Sequence, residues 1–177
     1  MNRSFRFQLA VRAAAVMGLG LGAIGAVTLW ALRSALDREI DASIMNVASV
    51  QAASLTDAPS GEMRFHEWEL TPDEAASLRD LVRYAQVWQA DGVSLLRSRY
   101  MTSDLPLDRE HLVRAGEGEL VWSVVAWDGI PMRTVYYPLE RHGALHQSHV
   151  LQVAGSLEAR NAMLARVALF LALLTAL

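Results

Sequence analysis

The apolar and polar positions of this chain fall into stretches of different period. Ala13 to Leu32 is a run of twenty residues without a charge, closed by Arg12 and Arg33. At ~1.5 Å of rise per residue such a run crosses the ~30 Å apolar core of a bilayer, so a transmembrane helix is expected over 13–32. Beyond it Leu36, Ile40, Ile44, Val47 and Val50 recur at spacings of four, four, three and three, with Asp37, Arg38, Glu39 and Asp41 on the other faces. That period extends the helix to about Leu55, where the stripe either covers the domain's own sheet or meets a partner helix. At the far end, Val167 to Leu177 is again apolar, following Arg166. Its length corresponds to about 17 Å, half a bilayer, so it is expected to begin a second transmembrane helix of a longer protein.

Between these ends the period shortens towards two. Asp57, Pro59, Ser60 and Gly61 mark a loop over 56–61. Thr71-Pro72-Asp73-Glu74 reads as an N-cap, a first-turn proline and a capping box, predicting a short helix to about Val82. Strands are expected at Tyr84–Gln89 and Val93–Ser98 around the turn Asp91-Gly92, and at Leu120–Trp127 and Met132–Tyr137 around Asp128-Gly129. Leu107–Ala115 reads as a helix closed by Gly116, His149–Val153 as a fifth strand, and Ser156–Arg166 as helix. The pattern predicts an α+β domain: an antiparallel sheet of about five strands with helices on one side, entered and left by long helices.

Charge adds an orientation. Arg3, Arg6 and Arg12 precede the first apolar run without an acid, while acids and arginines mix beyond it. The positive-inside bias places residues 1–12 in the cytoplasm and the domain at 33–166 outside the membrane. A cleaved signal peptide shares the basic start, with Ala23-Ile24-Gly25 as a small-residue site, but the apolar run continues to Leu32. A net charge of −3 and a pI near 5.9 provide no basic footprint for nucleic acid. Cysteine is absent, which excludes a disulfide framework and thiolate metal ligation. All 16 basic residues are arginine, and no function is drawn from that.

Three runs carry a resemblance. Leu32-Arg33-Ser34-Ala35-Leu36-Asp37-Arg38-Glu39-Ile40-Asp41, after the basic start and membrane helix, looks like the opening of bacterial two-component sensor histidine kinases. Ala85-Gln86-Val87-Trp88-Gln89-Ala90-Asp91-Gly92 followed by Leu95-Leu96-Arg97-Ser98 resembles their sensor domains. Val150-Leu151-Gln152-Val153-Ala154-Gly155-Ser156-Leu157-Glu158 is similar to the domain exit. The resemblance implies a PAS-like periplasmic sensor between two inner-membrane helices, and a homodimer. It also implies a following HAMP linker, a phosphorylatable histidine and an ATP-binding domain using magnesium, with a response regulator as partner. None of that machinery lies in this chain, and the resemblance transfers no catalytic residue or cofactor to it.

Candidate sites are few. His142, His146 and His149, with Glu140 nearby and His66-Glu67 elsewhere, have side chains that ligate zinc, copper or nickel. Gly143 and the strand near Val150 argue against one shared helical face, so a polar loop fits them better. Met45, Met63, Met101 and Met132 offer thioethers but serve equally as core filling. The three histidines as a pH register are a weaker alternative. Trp68, Trp88, Trp122 and Trp127 suggest an aromatic cage, against which strand alternation packs Trp88, Trp122 and Tyr136 on the sheet. In the membrane run, Ala14, Gly18, Gly22 and Ala26 share one helix face, where small residues permit close approach of a second helix. No Gly-rich phosphate loop, HExxH helix or G-x-S-x-G elbow occurs. A chemoreceptor or a cyclic-nucleotide enzyme shares the same two-helix input plan, a heavy-metal sensor uses the histidines, and a secreted binding domain makes 167–177 a core helix.

Overall fold

The computed structural model describes residues 2–56, 65, 71–139 and 149–176. The elements are α1 (Asn2–Thr56), α2 (Pro72–Ser77), β1 (Tyr84–Gln89), β2 (Ser94–Arg97), α3 (Arg109–Gly116), β3 (Val121–Trp127), β4 (Ile130–Leu139), β5 (His149–Ser156) and α4 (Glu158–Ala176). The chain divides into two compact units, residues 39–159 and residues 1–38 with 160–177.

The first unit is an antiparallel five-stranded sheet with flanking helices, in the order β2-β1-β5-β4-β3. Both hairpins turn where the sequence places them. Asp128 and Gly129 have φ of 50° and 78°, the positive values that a tight hairpin turn demands and that Gly and Asp tolerate. At the other hairpin Gly92 has φ of 88°, and Val93 N donates to Asp91 Oδ1 at 3.0 Å.

The last strand lies in the middle of the sheet. All eight residues of β5 are buried, because cover arrives on both faces. Directly paired residues share a face in an antiparallel sheet, so Gln86, Gln152 and Tyr136 line one side and Val87, Leu151 and Tyr137 the other. On the second face, Ala85, Val87, Val135, Leu139, Leu151 and Val153 meet Ile44, Ala48, Ala52 and Leu55 of α1. The expected stripe is therefore rotated. Ile44 is fully buried, Ile40 and Val47 are half-buried, and Val50 is 51% exposed. Alanines at 48 and 52 replace it in the contact, since their small side chains let the helix backbone approach the strands. Between its own sheet and a partner helix, this segment covers the sheet. Asp41 fixes it further: Arg133 of β4 donates to both carboxylate oxygens, at 2.7 and 3.0 Å, while stacking over Trp122 at 4.8 Å.

Several boundaries differ from expectation. β4 and β5 run longer, β2 is shorter, and α3 is shifted to include Gly116, while the ends of two helices show their cause. α2 has its capping box, Glu74 N to Thr71 Oγ1 at 3.3 Å and Thr71 N to Glu74 Oε2 at 2.8 Å, but it ends at Ser77 rather than near Val82. Leu81 N and Val82 N both donate to the Leu78 carbonyl, at 2.8 and 3.0 Å, closing a tight turn, and Arg83 satisfies the Asp80 and Val82 carbonyls beyond it at 3.0 Å each. α4 starts at Glu158, whose N–H is received by Ser156 Oγ at 3.1 Å, rather than at Ser156 itself.

In the second unit, α1 is long and apolar enough to cross a membrane, with a mean hydropathy of 1.9 in its most apolar window. Only 6% of that window is buried, and Val16, Met17, Leu19, Ile24, Val27 and Trp30 are all more than 60% exposed. A core helix of a soluble protein would bury them.

The α1 contact sets a stability expectation. Ile44→Ala should destabilise the sheet unit by about 2–5 kcal/mol, whereas Val50→Ala on the exposed side should stay within about 0.5 kcal/mol. Denaturant unfolding of the full chain in micelles, followed by tryptophan fluorescence, measures both; equal losses would contradict the packing described.

Candidate functional site

A cleft of about 270 Å³ opens on the face of the sheet opposite α1. It is lined by Ala75, Ala76 and Arg79 from α2 and the turn after it, Tyr84 of β1, Tyr100 and Thr102 from the segment after β2, and Trp127, Asp128 and Ile130 at the β3–β4 turn. Tyr84 sits at the centre of an aromatic cluster, edge-on to Trp127 at 4.8 Å and to Tyr100 at 5.7 Å. Such edge-to-face pairs stabilise beyond their buried area.

The polar ends of these rings are engaged inside the protein. Tyr100 OH donates to the Arg83 carbonyl at 2.6 Å and Trp127 Nε1 to Ser103 Oγ at 2.9 Å. Arg79 Nη1 donates to Glu158 Oε2 at 3.1 Å, and this bond holds the guanidinium above its ordinary pKa; Tyr84 adds a smaller contribution. Burial pushes the Tyr84 phenol up, so it stays neutral across physiological pH. Burial likewise pushes the Arg83 guanidinium down, with Asp80 opposing. Asp128 is exposed at its turn and makes no ion pair among the described residues.

A buried polar network beside the cleft anchors the segment that carries Tyr100 and Thr102. Gln86 Oε1 accepts from Leu105 N at 2.7 Å while its Nε2 donates to Ser94 Oγ at 2.8 Å. Gln152 Oε1 accepts from Trp88 Nε1 at 2.7 Å, and its Nε2 reaches Tyr136 OH and the Pro106 carbonyl, each at 3.2 Å. Tyr136 OH also receives Asp108 N at 3.1 Å. Two fully buried glutamines are thus satisfied by backbone and side chain together, which is the condition for tolerating them in a core.

The residues expected from sequence distribute differently. Trp88 and Tyr136 are buried on the sheet as anticipated, and Trp122 lies half-buried under Arg133. Trp127 joins the cleft wall; Trp68 lies outside the described residues. His149 is buried in β5 between its register partners Gln89 and Leu139, while His142, His146, Glu140, His66 and Met63 lie outside the described residues. Among the described residues, no three of His, Cys, Asp and Glu gather as a metal site. In the helical unit, Ala14, Gly18, Gly22 and Ala26 are exposed, and a Cβ added at Gly18 or Gly22 meets nothing within 4 Å. Gly25, on the same face between them, is buried, and a Cβ added there would lie 3.8 Å from Leu171 of α4. Tyr84, Tyr100, Arg79 and Asp128 were not singled out as site residues, because they come from three separate segments and no spacing in the sequence joins them.

Compared with known proteins, the chain matches no family model, no curated protein and no solved structure.

The buried phenols set a pH expectation. Folding raises the pKa of Tyr84 and Tyr136 above the ordinary 10.0, burial being the main cause for both. The folded state therefore holds these protons more tightly than the unfolded chain, and their contribution is complete below that value and lost as pH rises through the folded pKa. An ultraviolet titration should show two late-ionising tyrosines, and Tyr84→Phe or Tyr136→Phe should each remove one. All tyrosines ionising at the ordinary value in folded protein would contradict this.

Proposed function

We propose that this chain is the membrane-anchored input region of a two-component sensor histidine kinase, with a PAS-like domain in the periplasm and a kinase core beyond it. The observation that carries this reading is the relation between the two long helices. In the helical unit, Asp37 of α1 pairs with Arg160 of α4 at 2.6 Å, and Gly25 of α1 lies against Leu171 of α4. The residue numbers rise on one helix as they fall on the other, so α4 runs back antiparallel along the segment that is long and apolar enough to cross a membrane. In α4 Leu169, Phe170, Leu173 and Leu174 are at least half exposed, as lipid-facing side chains are. On this reading α4 starts a second crossing, and both helices face the same bilayer with the sheet unit between them in sequence.

Further support comes from the sheet. A five-stranded antiparallel sheet with flanking helices, its last strand central, is compatible with the PAS-like domain the resemblance implies. The final strand leads through Leu157 directly into α4, so a change at the sheet has a short covalent path to the exit helix. A stimulus acts in such a device only through different affinities for two helix arrangements, which the protein passes on as a population shift. ATP, magnesium and the response regulator belong to the proposed cytoplasmic partner region. Homodimerisation brings two such regions together, and the Ala14, Gly18, Gly22 and Ala26 face is the proposed membrane contact.

Alkaline phosphatase fused after Ala115 in bacterial cells should be active, while a cytoplasmic reporter at the same site should be silent; the reverse would refute the topology.

Dimerisation is tested separately. Because the chain has no native cysteine, Glu39→Cys, at an exposed position beside Ile40, reports protomer proximity by disulfide crosslinking. Gly18→Ile with Gly22→Ile should reduce that crosslinking more than Gly20→Ile, on the opposite side of the helix. Equal crosslinking in all backgrounds would remove the small-residue face from the interface.

A further inference from the structure

We propose that the aromatic cleft binds a small soluble organic ammonium ion, which deepens the sensor reading by naming the class of its ligand. The cleft combines ring surface with an arginine that is already paired and a carboxylate that is not. Tyr84, Tyr100 and Trp127 form one wall, and the OH of Tyr100 and the N–H of Trp127 are both consumed by bonds within the protein. What these largely buried side chains offer a ligand is therefore ring surface rather than a polar atom, and aromatic rings attract cations.

The charges around the cleft decide its sign. Arg79 is the cation in the lining, and Glu158 already neutralises it. Arg83 stands beside Asp80 in the turn that precedes Tyr84. Asp128 at the rim has no ionic partner among the described residues, so the charge the lining leaves unpaired is a carboxylate. An anionic ligand would have to displace Glu158 from Arg79 and approach Asp128. A cation meets Asp128 directly and breaks nothing. A volume of about 270 Å³ lies just below the ~300–1,000 Å³ of common ligand pockets, which restricts the occupant to a compact molecule.

The turn also makes the key variant clean. Asp128 has φ of 50°, a conformation that asparagine adopts as readily, so Asp128→Asn removes the charge and keeps the hairpin.

The test is calorimetric titration of the full chain in maltoside micelles, with choline and n-butylamine as cations, 3,3-dimethyl-1-butanol as the neutral shape match of choline, and butyrate as the anion. At least one cation should bind saturably, and about tenfold or more tighter than the neutral and anionic probes, as expected when charge and ring act together. Asp128→Asn and Trp127→Leu should each weaken that binding about tenfold, while Arg79→Gln, which removes a cation and frees Glu158, should strengthen it. Circular dichroism of each variant separates lost binding from lost folding; Trp127→Phe, which keeps a ring in place, serves as the second aromatic variant. Binding of neither cation, equal binding of the neutral probe, or butyrate binding that depends on Arg79 would each overturn the proposal. The readout needs no kinase core, so failure here removes the ligand class without deciding the topology, and a failed topology leaves the titration as it stands.

Discussion

A central strand buried on both faces has to be covered twice, and the sheet unit is organised around that requirement. Every residue of β5 is buried, including Gln152 and His149, so the strand leaves no polar face for water. One cover is α1, whose Ile44, Ala48, Ala52 and Leu55 lie on Val87, Val135, Leu151 and Val153. The other is built from short pieces: α2, α3 and the segment between β2 and α3. Removing either layer would expose a broad apolar surface, at a cost of roughly 25 cal/mol for each Å². The edge strand β3 shows the contrast, with Val124 and Ala126 exposed and burial confined to the rest of the strand.

The two covers differ in kind, and the cleft is a consequence. A regular helix fills its face of the sheet continuously. Short elements cannot, and they leave backbone donors and acceptors that need partners. Gln86, Gln152 and Tyr136 reach up from the strands to meet Leu105, Pro106 and Asp108, pinning the irregular segment to the sheet. Where α2 stops at Ser77 and the β3–β4 turn folds over, cover is incomplete, and Tyr84, Tyr100 and Trp127 line the space left. The Arg79–Glu158 pair then links the turn after α2 to the first residue of α4 within this unit. A bound molecule at the cleft therefore sits beside a contact with the start of the exit helix.

Much of the fold was legible in the sequence because its signals are local. Asp91-Gly92 and Asp128-Gly129 form turns where positive φ is needed, the Thr71–Glu74 capping box starts α2, and the uncharged run at 13–32 is part of a helix that keeps its apolar side chains exposed. The five strands and their antiparallel character follow from the same period-two reading. Boundaries were less legible, since the turn on the Leu78 carbonyl and the Ser156 hydroxyl set them through hydrogen bonds that periodicity does not contain.

The sequence by itself determined the element types, the hairpins, the antiparallel sheet and the presence of a helix able to cross a membrane, because each depends on neighbours along the chain. Only the tertiary structure decided that β5 enters the middle of the sheet, since that order reflects pairing between segments far apart in sequence. It also decided which face of α1 is buried: side-chain apolarity favoured Val50, but close packing against strands favoured the smaller Ala48 and Ala52. The cleft belongs wholly to this second class. Arg79, Tyr84, Tyr100, Trp127 and Asp128 share no motif, and they become one site only when hydrogen bonds from buried glutamines hold a loop against the sheet.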